Sequence, residues 1–177
     1  MNNVRAFISV DIPGKIQAKI KKIQKMLPEF RGKFTEQENL HLTLKFLGDI
    51  DDEILPETER RLREINLKSF ETRISEIGVF SPEHAKIVWV KLDNCENLQK
   101  TVDEKLDNLF EKEKRFMGHL TIARVKNIKN RKSFLEELEK IKIPSGLNFT
   151  VKSFELKKSE LMSGGPVYET IEEYFLL

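Results

Sequence analysis

Two tetrads, His41-Leu42-Thr43-Leu44 and His119-Leu120-Thr121-Ile122, stand 78 residues apart in a chain of 177 residues. In a β-strand alternate side chains share a face, so each His and its Thr point the same way, roughly 7 Å apart. Leu42, Leu44, Leu120 and Ile122 then point into the core. Ordinary residue usage places Leu-Thr-(Leu/Ile) after a given His with a probability on the order of 10⁻³, so the repetition carries information. Two imidazoles with ordinary pKa values near ~6.5 supply a base and an acid close to neutrality. In-line displacement at phosphorus needs that pair, one group on the attacking oxygen and the other on the leaving oxygen opposite. The two Thr hydroxyls can donate hydrogen bonds to the non-bridging oxygens. The residues describe an active site built from two halves.

The rest of the chemistry-bearing inventory is thin. His84 sits in a Pro-containing turn without a Thr partner and reads as an exposed loop residue. The histidines have no carboxylate or thiolate at a recognisable ligand spacing, which leaves a zinc site incomplete, so no metal and no cofactor are expected. Cys95 is the single cysteine; it excludes an intrachain disulfide or a CxxC pair and reads as a small residue at a helix start. No GxxxxGK[ST] loop suggests use of a nucleoside triphosphate.

The elements that must hold the tetrads follow from periodicity. Residues 5–10 read as a strand turning at Asp11-Ile12-Pro13-Gly14 into a helix with Ile16, Ile20, Ile23 and Leu27 on one face, closed by Pro28. Residues 39–47 form the first motif strand, stopped by Gly48. Asp51 and Asp52 can cap a second helix that buries Leu55, Leu62 and Ile65. Residues 70–80 and 86–92 read as a hairpin across Ser81-Pro82-Glu83-His84. Asn94 can cap a helix to about residue 111 carrying Leu98, Val102, Leu106 and Leu109. The second motif strand, 119–125, precedes a helix with Phe134, Leu138 and Ile141, and strands near 147–157 and 167–176 flank Ser163-Gly164-Gly165-Pro166. Each half thus places its motif strand between two helices and follows it with a hairpin. No Gly-, Ser- or Pro-rich linker divides them, so residues 1–177 are expected to form one domain of two fused lobes, α+β in class, with the motif strands facing across a cleft.

Composition sets wide limits. The hydrophobic fraction is 39% with 12 Phe, which supports a globular core. The charged fraction of 34%, rich in Lys and Glu, resembles that of proteins from hot environments. A net charge of +2 does not announce a nucleic-acid binder, because 31 basic and 29 acidic residues can be sorted onto different faces. No ordered signal-peptide pattern opens the chain, and no window approaches the ~20 apolar residues of a membrane span, so a soluble cytoplasmic protein is expected.

The stretches Asn39 to Gly48 (NLHLTLKFLG) and Gly118 to Arg124 (GHLTIAR) resemble the two signatures of the two-histidine phosphoesterase superfamily, and within it the RNA 2′,3′-cyclic phosphodiesterase branch, also called 2′-5′ RNA ligase-like. The likeness runs from Arg5–Pro13 to Ser159–Tyr168. It implies a bilobal fold of two pseudo-symmetric lobes, antiparallel sheets with helices outside and a central cleft. It also implies metal-independent hydrolysis of RNA-terminal 2′,3′-cyclic phosphate to a 2′-phosphomonoester. On that likeness His41 and His119 are the acid/base pair, with His41 the acid, and Thr43 and Thr121 hold the phosphate. Phe7 and Arg124 match positions that help bind the nucleotide, and tRNA fragments are candidate substrates for a monomeric enzyme. The residues alone leave Phe7 as a core strand position. Strict alternation puts Arg124 on the face of Leu120 and Ile122, so its strand must end, twist or bulge before the guanidinium reaches the site.

Two departures stand out. Gly118 occupies a position where relatives often have Pro, and a looser strand entry is expected. His84 stands where relatives commonly carry Arg. The Lys-rich segments 15–25 and 126–132 read as solvated faces that could also steer an RNA backbone. Two other functions are compatible with the same residues: ATP-independent 2′-5′ joining of RNA, the reverse reaction, and a non-catalytic RNA-binding module. Both intact tetrads speak against the latter.

Overall fold

The stretch Ala6–Val10, apolar except for Ser9, forms a central strand buried along its length, and the alternating tetrads lie on strands beside the sheet centres. The computed structural model describes residues 3–177; Met1 and Asn2, which open the expected 1–177 unit, lie outside the described residues. In chain order the elements are β1 (Val4–Asp11), α1 (Gly14–Met26), β2 (Arg31–Phe34), a 3-10 turn (Gln37–Asn39), β3 (His41–Ile50), α2 (Ile54–Arg63) and β4 (Phe70–Phe80). Then follow β5 (Ile87–Leu92), α3 (Glu96–Lys105), β6 (His119–Asn127), α4 (Arg131–Glu139), β7 (Asn148–Val151), β8 (Ser153–Met162) and β9 (Gly165–Phe175). They make two antiparallel sheets, ordered β3-β1-β8-β9 and β2-β6-β5-β4-β7. Each motif strand is bonded to a centre strand, β3 to β1, buried from Ala6 to Val10, and β6 to β5, which buries alternate residues.

The two halves superpose in logic but trade strands. The hairpin through residues 81–85 forces β4 beside β5, because so short a connection permits only antiparallel neighbours. The hairpin expected to close the first half therefore belongs to the second sheet, and β8 and β9 close the first. The stretch expected as one strand at 147–157 divides at Lys152: β7 pairs with β4 in one sheet and β8 with β1 in the other. Burial slips out of register there, from Phe149 and Val151 to Phe154 and Leu156.

Helix faces follow the periodicity. Ile16, Ile20 and Ile23 of α1, Leu62 of α2, Leu98 and Val102 of α3, and Phe134 and Leu138 of α4 are buried. Asp51 caps the start of α2, its Oδ1 accepting the Ile54 N–H at 2.9 Å, and Asn130 does the same for α4 through the Ser133 N–H at 3.1 Å. Asn94 does not cap α3. It takes a left-handed turn at φ 64° and its amide donates to the Glu71 carbonyl, tying the turn to β4. That helix ends at Lys105, short of residue 111, and the chain turns through Asn108 at φ 68°. Gly48 does not end β3; the strand runs on to Ile50 with Gly48 at φ 75° beside an irregularity in the β1 pairing. The edge strand β2 was invisible to periodicity, since all four of its residues are exposed. Gly32 allows β2 its close approach to β6, because a Cβ there would lie 2.2 Å from the Arg124 carbonyl oxygen.

Candidate active site

Both tetrads behave as alternation requires. Leu42, Leu44, Leu120 and Ile122 are buried, and His41, Thr43, His119 and Thr121 are half-buried on the opposite face. Each imidazole is anchored identically: His41 Nδ1 lies 2.8 Å from the Asn39 carbonyl and His119 Nδ1 lies 2.8 Å from the Met117 carbonyl. A carbonyl can only accept, so Nδ1 carries the proton and Nε2 is left as the reacting nitrogen. The strands β3 and β6 touch where the two sheets meet.

Each motif strand also bulges just after its Thr. Pairing passes from Thr43↔Ser9 to Lys45↔Ile8, leaving Leu44 without a partner on β1. On β6 it passes from Thr121↔Trp89 to Ala123↔Val88, leaving Ile122 without one on β5. A bulge turns the following side chains over. Arg124 therefore rejoins the face of His119 and Thr121, which settles how its guanidinium escapes the core side. Its charge acts on both His41 and Tyr168, in the first lobe's half of the site.

The same bulge does for Phe46 what it does for Arg124, each five residues after its His. Phe46 is 75% exposed, an aromatic surface on the site face. Strict alternation puts Phe46 on the core side and so misses it, although the spacing it shares with Arg124 from the preceding His holds the signal. Phe7 is buried at 3% exposure, its ring 5.0 Å from His41, 6.2 Å from Phe46 and 5.1 Å from Tyr168. It supports the imidazole from behind. Tyr168, also missed, meets the His41 ring edge-on at 5.1 Å. In the second lobe Phe80 meets His119 edge-on at 4.7 Å.

Charge is unevenly placed. Beside His41, Lys157 Nζ binds Asp11 Oδ1 at 2.5 Å and Glu155 Oε2 at 3.4 Å, and Thr170 donates to the same Glu155 oxygen. Burial holds the Glu155 carboxyl above its ordinary range. Burial also pushes the His41 imidazole down from 6.5 to about 4; the Asn39 carbonyl and Asp11 oppose this, while Lys157 and Arg124 add to it. His84 is exposed in its turn, away from these contacts. Cys95 is fully buried with its thiol pushed up to about 11 by burial, which makes it a poor nucleophile. Among the described residues no group of three or more His, Cys, Asp and Glu could hold a metal ion, and no helix is long and apolar enough to cross a membrane.

Known proteins resemble this chain in sequence and in fold. The family model described as LigT like Phosphoesterase matches the chain twice, over residues 10–90 and 91–168, one His-Thr pair falling in each match. The chain is similar to the RNA 2′,3′-cyclic phosphodiesterase of Methanocaldococcus jannaschii, 37% identical over 175 residues that cover 97% of this chain and 100% of the relative. A protein of the same name from Methanothermobacter thermautotrophicus is 35% identical, covering 98% of this chain and 99% of its own. Among solved structures, TT0787 of Thermus thermophilus matches with a TM-score of 0.79 at 26% identity over 97% of each chain. The apo form of E. coli LigT shares the fold, with a TM-score of 0.82 at 18% identity over 99% of each chain.

Proposed function

Since this chain belongs to the LigT-like phosphoesterase family, we propose that it hydrolyses the 2′,3′-cyclic phosphate at an RNA end to a 2′-phosphomonoester, using His41 and His119 as acid and base. The observation that carries this reading is the pair of imidazoles, each with Nδ1 committed to a backbone carbonyl and a Thr hydroxyl on its own face. Water attacks phosphorus and gives its proton to His119 Nε2. The bond to the 3′-oxygen breaks opposite, and His41 Nε2 supplies the proton that the 3′-oxygen takes up. Thr43 and Thr121 donate to the non-bridging oxygens as charge gathers there.

The surroundings of His41 bear on its role as acid. Burial keeps its imidazole neutral in the free site at neutral pH. An anionic phosphate placed beside it favours the protonated form, countering desolvation and the repulsion from Lys157 and Arg124. Substrate binding thus loads the acid. Arg124 serves the phosphate or a neighbouring one, Phe7 backs His41, and Phe46 offers an open aromatic surface to a base. One catalytic domain acts as a monomer in the cytoplasm, with tRNA fragments among its substrates.

The test is product analysis with an RNA oligonucleotide ending in 2′,3′-cyclic phosphate, in EDTA. A 2′-phosphate is expected. A 3′-phosphate, or activity only after Mg²⁺, Mn²⁺ or Zn²⁺ is restored, would overturn the mechanism.

A further inference from the structure

The two half-sites lie on different sheets, so something must set the distance between their histidines. Two buried polar clasps cross from one half to the other. In the first, the side chain of Gln24 on α1 donates to the carbonyl of Ile122, the bulge residue of β6, and to the carbonyl of Thr35, both at 2.9 Å. Thr35 N–H reaches the same Ile122 carbonyl at 3.0 Å. In the second, Lys45 at the bulge of β3 donates to Asp103 Oδ1 of α3 at 2.5 Å and to the Glu111 carbonyl. The other oxygen of Asp103 accepts from Gln99 Nε2 at 2.8 Å and from the Glu113 N–H at 3.0 Å.

The clasps obey the symmetry of the motifs. Gln24 precedes His41 by 17 residues and Asp103 precedes His119 by 16, each directly after a buried aliphatic residue of its helix, Ile23 or Val102. Each helix follows the centre strand of one sheet and packs on the motif strand of the other, α1 on β6 and α3 on β3. Each clasp joins two things: the bulge beyond one Thr, and the segment leading to the opposite His. Residues 35–39 end at Asn39, whose carbonyl fixes His41, and residues 111–117 end at Met117, whose carbonyl fixes His119. Gln24, Lys45, Gln99 and Asp103 are all 7% exposed or less, so none of them meets substrate from solution.

Resting on the phosphodiesterase reading above, we infer that Gln24 and the Lys45–Asp103 pair are positioning residues that hold the two imidazoles at the span an in-line displacement requires. A stem of the wrong length or a missing donor lets one bulge slide relative to the opposite His. A small misplacement of an acid/base group is costly to the chemical step and nearly neutral to ground-state binding.

The experiment measures hydrolysis of a cyclic-phosphate RNA by Gln24→Met, Lys45→Met and Lys45→Arg, each checked for native circular dichroism and cooperative unfolding. Gln24→Met removes the donor at nearly equal volume and leaves no buried charge, so it stays informative if Lys45→Met fails to fold. The expected result is a fall in kcat of about tenfold or more for Gln24→Met with KM within about threefold, and partial recovery of kcat in Lys45→Arg relative to Lys45→Met. In a His119→Ala background Gln24→Met should cost less than about threefold, because the distance it sets no longer has two reacting ends. A folded Gln24→Met with wild-type kcat, or the same fold-loss in both backgrounds, overturns the inference. If wild type itself leaves the cyclic phosphate intact, the phosphodiesterase reading fails instead.

Discussion

The His41 and His119 halves share a backbone solution and differ in what surrounds it. Both present His and Thr from an alternating strand, both bulge after the Thr, and both fix Nδ1 on a carbonyl two residues back. Around His41, however, Phe7 and Tyr168 pack against the ring and Lys157, Asp11 and Glu155 form a packed charged group. His119 has the edge of Phe80. Five residues on, the first half carries exposed Phe46 and the second Arg124. Repetition supplies the geometry that two opposed proton transfers need, and the unlike surroundings act on His41, whose imidazole burial holds below its ordinary range.

The largest expected effect breaks the two halves one at a time. His41→Ala and His119→Ala should each lower kcat by about 10²-fold or more, and the double variant should lose far less than the product of the two. Steady-state kinetics on folded proteins checks this; a multiplicative double loss would mean the halves work separately.

Next in size is a stability difference peculiar to the first half. The unfolded chain protonates His41 near 6.5, whereas the folded protein resists until about pH 4. The neutral ring therefore contributes full stability above about pH 6.5, and that contribution drains away as pH falls towards 4, by roughly 3 kcal/mol. Denaturant unfolding of wild type and His41→Gln between pH 7 and 4 should show a smaller acid loss in the variant. Parallel curves would contradict a His41 held neutral by desolvation.

A smaller effect separates the strand entries. Gly118 precedes His119, its carbonyl accepting the Leu92 N–H at 2.8 Å, and a Cβ there would lie 2.7 Å from the Leu92 carbonyl oxygen. The first half has buried Leu40 at that point. Gly118→Ala should cost about 1–3 kcal/mol by thermal unfolding and lower kcat through His119. The expected looser entry is instead a tight one.

The helix caps should show the halves as equals. Asp51→Ala and Asn130→Ala, at matching starts of α2 and α4, should each cost about 1 kcal/mol in chemical denaturation. A cost confined to one would say that only that helix depends on its cap.

Much of this was legible in the residues. The tetrads gave strand, face and chemistry at once because period-2 burial is a strong signal, and the exposed outcome at His84 follows from its turn. Arg124 marked its own bulge by conflicting with alternation. What stayed hidden depends on long-range pairing. All-exposed β2 has no burial pattern, and its place is fixed by hydrogen bonds to β6 alone. The exchange of β4 and β8 between sheets, and the break at Lys152, arise from which centre strand each meets. Gln24 looked like one polar residue on an amphipathic helix, because its carbonyl partners are 11 and 98 residues away.

The most direct test of opposed proton transfer uses two substrates, an RNA 2′,3′-cyclic phosphate and its analogue with sulfur in place of the bridging 3′-oxygen. A thiolate leaves with little protonation, so the analogue makes an acid dispensable and leaves the need for a base. Turnover of wild type, His41→Ala and His119→Ala on both is predicted to show His41→Ala restored by sulfur and His119→Ala not restored. Restoration of His119→Ala alone would reverse the assignment, and restoration of neither would contradict proton transfer by these histidines.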